Sequence, residues 1–174
     1  EAARGLGSKV QSLTLVEPVA FNLLRVERRP EWAEIERLGV AVLTAVANGD
    51  DREAAASFMR YWLGRLRWWL SPEKFKAAIT ANIRKMALEF MILIEAGARL
   101  GDYASVTAPT LLIVGVKTRA PARAVVDMLG QALPNATMTV LKGAGHMSPF
   151  THPSEVNRLI AGHLAAQRQQ EPVP

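Results

Sequence analysis

Apolar residues fall into two regimes along this chain, and the change from one to the other outlines its architecture. Three stretches are continuous or nearly so: Val10-Gln-Ser-Leu-Thr-Leu-Val16, Thr110-Leu-Leu-Ile-Val-Gly115, and residues 137–142, Thr137-Met-Thr-Val-Leu-Lys142. Short runs of this kind, closed by glycine or proline, predict strands, the first two apolar enough to be covered on both faces, as in a parallel sheet. From Arg29 to about Gly101 the apolar spacing changes to threes and fours, which predicts helices. Trp32, Ile35, Leu38, Val42 and Val46 share one face until Asn48-Gly49 stops it. A second helix starts at Asp50 or Asp51 and carries Ala55, Phe58, Met59 and Trp62 to about Gly64. Ser71-Pro-Glu-Lys74 reads as a further start, with Ser71 capping a helix through Phe75, Ile79 and Ile83, and a separate stretch runs from Leu88 to Ala98. Pro121 starts a helix burying Val125, Met128, Leu129 and Leu133. The last helix, Pro153 to Ala166, buries Val156, Leu159, Ile160 and Leu164 ahead of a frayed tail from Gln167. Residues 1–8 read as a helix end closed by glycine. The expected class is α/β, parallel strands flanked by helices.

Composition adds mainly exclusions. The 174 residues contain no cysteine, so disulfides, thiolate zinc sites and cysteine nucleophiles are ruled out. The histidines, His146, His152 and His163, lack metal-pair spacing on one helix face, and neither a metal nor a cofactor is expected. The net charge of +5 is spread over helices with acids interleaved, so nucleic acid is not an expected partner. No run approaches the roughly 18 to 20 apolar residues of a membrane span. With no visible signal peptide, a cytoplasmic location is the expectation, although the chain begins at Glu1 rather than Met. Trp32, Trp62, Trp68 and Trp69 are expected in the core rather than against a ligand.

Candidate chemistry gathers at strand ends. Gly143-Ala-Gly-His146 follows the third strand, and two glycines can present an imidazole to solvent and to a partner from elsewhere in the chain. Glu17, before Pro18, sits at the carboxyl end of the first strand, the edge where open α/β sheets collect ligands.

These residues resemble a known family. Gly143-Ala-Gly-His-Met-Ser-Pro149 with His152-Pro153 downstream, Ala108-Pro-Thr-Leu-Leu-Ile-Val-Gly115, and Leu13-Thr-Leu-Val-Glu-Pro-Val19 together look like the carboxyl-terminal half of an α/β-hydrolase. The resemblance implies a partial hydrolase fold in three parts: residues 1–25 as core around the sixth strand, 26–104 as a helical cap, and 105–174 as core with the seventh and eighth strands. It implies a nucleophile–histidine–acid triad with His146 as general base. The family usually places an aspartate at about the position of Thr118, which carries no charge. Some members, resembling haloalkane dehalogenases, place the acid after the sixth strand, so Glu17 is the expected acid, in preference to Asp127 within its helix. The family's Gly-x-Ser-x-Gly elbow does not occur in the sequence, and Ser8, Ser12 and Ser148 have no such setting.

Three functions are then open. One is the cap and carboxyl-terminal part of a serine-type hydrolase of an ester or similar small apolar substrate, with Phe21, Trp62 and Met147 as pocket walls. Another is an inactive hydrolase-fold binding or interaction module. The third is halide displacement or epoxide opening by an aspartate nucleophile. A first strand with an open apolar edge also predicts either self-association or cover by an amino-terminal portion.

Overall fold

The computed structural model describes residues 2–168. In chain order the elements are α1 (Ala2–Leu6), β1 (Leu13–Val16), α2 (Asn22–Val26), α3 (Trp32–Ala47), α4 (Asp51–Leu63), α5 (Arg65–Leu70), α6 (Glu73–Glu95), β2 (Thr110–Gly115), α7 (Ala120–Ala132), β3 (Ala136–Leu141), α8 (Ser148–Thr151) and α9 (Pro153–Arg168). The strands form one parallel sheet in the order β1-β2-β3, with Leu15 opposite Leu112 and Leu112 opposite Met138. The class is α/β, as the runs of apolar residues predict.

Strand periodicity explains how the sheet is covered. Successive residues point to opposite faces, so Leu112 and Val114 join the main core with Val125, Val126 and Leu129 of α7, while Leu111 and Ile113 meet Val156 of α9. All six residues of β2 are buried. Each fully buried Leu, Ile or Val side chain contributes about 1.5–3 kcal/mol, which makes β2 the strand that holds the two layers together. The main apolar cluster continues without a break into the helical block, through Phe21, Leu23 and Leu24, then Ile35, Leu38 and Val42 of α3, Ala54 and Ala55 of α4, and Ile83, Ala87, Phe90 and Ile94 of α6.

Several local expectations give way to the tertiary structure. The helix through Ile83 and the stretch from Leu88 are one 23-residue helix, α6, because no glycine or proline lies between them, and it ends at Glu95, short of Gly97 and Ala98. Ser71 does not cap it. The Ser71 hydroxyl donates to the Arg67 carbonyl, closing α5, and Pro72 takes the cap position. Gly64, at φ 87°, breaks the helical run and starts α5, leaving Trp68 buried and Trp69 72% exposed. The first strand is shorter than Val10–Val16, since Gly7–Lys9 forms a 3-10 turn. Leu164 is 45% exposed, and only Val156 of α9 is fully buried. Gln167 and Arg168 belong to α9, while the rest of the expected tail lies outside the described residues.

Candidate active site

The site forms where the carboxyl ends of β1 and β2 meet the loop after β3. Glu17 follows β1 directly, and its amide donates to the Ile113 carbonyl at 3.0 Å. Its φ of 44° is left-handed, a conformation costing an L-residue roughly 1–2 kcal/mol. That strain turns the chain sharply and sets the carboxylate inward, where the residue is 2% exposed. Strain of this sort persists only where surrounding contacts over-determine it.

Three donors do so. The Gly115 amide donates to Glu17 Oε1 at 2.9 Å, the Thr118 hydroxyl donates to the same oxygen, and His146 Nδ1 lies 3.0 Å from Oε2. Burial opposes ionisation of Glu17, but the hydrogen bonds from His146, Thr118 and Gly115, with the charge interaction with His146, outweigh it together and hold the carboxyl below its ordinary range. The carboxylate is therefore ionised at neutral pH and can only accept, so Nδ1 carries a proton toward it, and in the neutral ring Nε2 is the nitrogen with the lone pair. No group among the described residues hydrogen-bonds Nε2.

The histidine loop is fastened to β2 by backbone contact. Lys117 N–H donates to the Ala144 carbonyl at 2.8 Å, Val116 N–H to Leu141 at 3.0 Å, and Gly143 turns the chain at φ 73°. Gly115 is required at this crossing: a Cβ there would lie 2.3 Å from the Ala144 oxygen and 2.5 Å from its carbonyl carbon. From the other side the Trp62 ring stacks on His146 with centroids 4.0 Å apart and planes at 28°. An indole face favours a cationic partner, so this stack favours the protonated form of the ring.

Above the ring lies an apolar cavity of about 570 Å³. Phe21, Phe58, Trp62, Phe90, His146 and Met147 are among its walls, with Phe75, Leu93 and Phe150 exposed around it. The volume is within the range of small-molecule sites. Glu17 and His146 are thus brought together, and Phe21, Trp62 and Met147 lie along one cavity. Asp127 is instead paired with Arg123 at 3.0 Å. Thr118 carries no charge, yet its hydroxyl holds the acid. Its place three residues after Gly115 was the available signal. Trp62 packs on the apolar cluster, as expected of the tryptophans, and also contacts the histidine along the cavity wall. Ser148 is fully buried and its hydroxyl has no partner among the described residues, which does not suit an attacking group.

No protein-family model matches the chain, and no curated protein matches it. Among solved structures it is similar to MGS-M2, an α/β hydrolase enzyme from a Medee basin deep-sea metagenome library, with TM-score 0.69 and 15% identity over 99% of this chain and 61% of that one. It is also similar to MenH from S. aureus, with TM-score 0.61 and 15% identity over 91% of this chain and 60% of that one. The chain thus spans less than two thirds of either structure. At this identity the likeness shows the fold: residues 2–168 have part of the α/β-hydrolase fold.

Proposed function

We propose that this chain supplies the general base and its acid to a hydrolase acting on an ester or similar small apolar substrate. The observation that carries the reading is the Glu17–His146 pair, with Nδ1 of the ring held 3.0 Å from a buried carboxylate and Nε2 left free beside an apolar cavity. In this arrangement Nε2 takes the proton from an attacking hydroxyl as its oxygen bonds the acyl carbon. Glu17 stabilises the resulting imidazolium, and the ring returns the proton to the departing alkoxide. A water then loses its proton to Nε2 as its oxygen bonds the acyl carbon, and the ring passes that proton to the nucleophile oxygen as the acyl–nucleophile bond breaks and the acid is released. Phe21, Trp62 and Met147 bind the apolar part of the substrate and exclude water from it.

The nucleophile belongs to a portion of the fold beyond these 174 residues, since the sequence contains no Gly-x-Ser-x-Gly. Cover of the β1 edge by that portion, or by a second copy, completes the sheet. The test uses p-nitrophenyl esters with a form of the protein that includes the nucleophile. His146→Ala is expected to lower kcat by about 10⁴-fold or more. Unchanged turnover by that variant, or full turnover by the 174-residue chain with His146 absent, overturns the reading.

A further inference from the structure

A second cleft opens beside His146. It has a volume of about 190 Å³ and shares Trp62, His146 and Met147 with that cavity, so the two meet at the imidazole. Their chemistry is opposite. The first is walled by aromatic and aliphatic side chains, whereas the second is lined by Arg67 of α5, Lys117 and Arg119 of the loop after β2, and His152. No carboxylate among the described residues lines it.

The cations are in different states. Arg119 is committed: its Nε donates to the Tyr61 carbonyl at 2.7 Å and its Nη1 to Glu34 at 3.0 Å. Arg67 and Lys117 have no carboxylate partner among the described residues, whereas Arg29, Arg52, Arg60 and Arg84 of the helical block do. Of the acids that contact the lining, Glu34 is held by Arg119, and Glu17 is buried with its oxygens occupied by Gly115, Thr118 and His146. Gly143 and Gly145 also line it and contribute no side chain. At about 190 Å³ the cleft is smaller than the ~300 Å³ at which whole-ligand sites begin, and suits one polar group of a larger molecule.

We infer that the substrate is an amphiphile whose apolar part fills the cavity walled by Phe21, Phe58 and Phe90 and whose oxyanion, a carboxylate or a phosphate, occupies the Arg67–Lys117 cleft, with the bond to be broken beside His146. This rests on the hydrolase reading for the position of the reacting bond, while binding to the two clefts is measured without turnover. Arg67 and Lys117 would act as specificity residues, through charge and reach, and not on the reacting atoms.

The test is calorimetric binding to the 174-residue chain of three probes with one alkyl tail, decan-1-ol, decanoate and decyl phosphate, each below its micellar range. The oxyanion probes are expected to bind about three- to tenfold more tightly than decanol, the range for partly exposed charge contacts. Raising the salt to 0.5 M shrinks the preference, and the double variant Arg67→Gln/Lys117→Gln brings it to within twofold. Preference for one oxyanion over the other identifies the head group. Equal binding of all three probes, or a preference that survives in the double variant, overturns the inference and leaves the Glu17–His146 reading standing. Failure of every probe to bind overturns it together with the apolar-substrate part of the proposed function. Loss of turnover chemistry is read separately, from His146→Ala.

Discussion

Glu17→Gln separates the charge of the acid from its shape. The amide oxygen can still accept from the Gly115 amide and the Thr118 hydroxyl, which both bond Oε1 in the structure. That choice directs the new NH₂ group at His146 Nδ1, which lies 3.0 Å from Oε2. Two donors then face each other unless the ring moves its proton to Nε2. Keeping the original tautomer leaves a buried donor unsatisfied at a cost of about 1–3 kcal/mol, so the inverted tautomer should dominate by about five- to 150-fold. The three contacts also lose their charge assistance, about 1 kcal/mol each, and relief of carboxylate burial offsets part of this. The net loss of stability is therefore at most about 3 kcal/mol, and the variant should fold. Long-range ¹H–¹⁵N correlation spectra of the 174-residue chain read the tautomer directly, with His152→Ala and His163→Ala assigning the signals. The expected outcome is an Nδ1-protonated ring in the parent and an Nε2-protonated ring in the variant. In a form carrying the nucleophile, kcat should fall by about 10⁴-fold, the size of effect a wrong tautomer has in a serine triad. A ring that stays protonated at Nδ1 in Glu17→Gln would refute the account of how the acid acts.

Four further outcomes are expected. Thr118→Val removes one donor to the Glu17 carboxylate and should cost about 1–3 kcal/mol by urea denaturation, and no loss would mean that the hydroxyl contributes nothing. Gly115→Ala places a Cβ 2.3 Å from the Ala144 oxygen, so the histidine loop must shift at a cost of about 3 kcal/mol and the Glu17–His146 contact should be lost, as seen from the His146 ring signals; an intact contact counts against the close approach. Because the folded state holds the Glu17 carboxyl below its ordinary 4.5, this group stabilises the fold above about pH 4.5 and the benefit disappears as pH falls through the lower folded value. Unfolding free energies measured from pH 7 to 3 should thus decline less steeply in Glu17→Gln than in the parent, and parallel profiles would contradict the sign. Among the described residues β1 pairs only with β2, so sedimentation velocity of the 174-residue chain should show self-association, whereas a stable monomer would count against an adhesive edge.

Much of the architecture was written locally. Thr110–Gly115 declares itself because a strand buried on both faces must be apolar at every position, and all six residues are indeed buried. Asp50 caps α4 through the Glu53 amide at 2.9 Å, a signal contained within four residues. Where local rules compete, reading them in isolation failed. Ser71-Pro72 looks like a helix start, but the serine closes the turn behind it. Leu88 and Ile92 continue the pattern of α6 yet stand exposed, because that part of the helix turns them away from the core it shares through Phe90 and Ile94.

The sequence by itself determined the class of fold, the histidine on its glycine turn and a carboxylate at the end of the first strand, since each depends on neighbours a few residues away. Only the tertiary structure decided what those groups are to one another. Glu17 meets His146 across 129 residues and Thr118 across 101, and Trp62 reaches the imidazole from α4, one of the helices between β1 and β2. Such contacts are set by parallel pairing, which aligns the ends of β1 and β2, and by the missing side chain of Gly115, which lets the histidine loop lie against them. The physical reason is that periodicity encodes which face of an element is apolar, whereas the position of one polar atom over another depends on how whole elements pack.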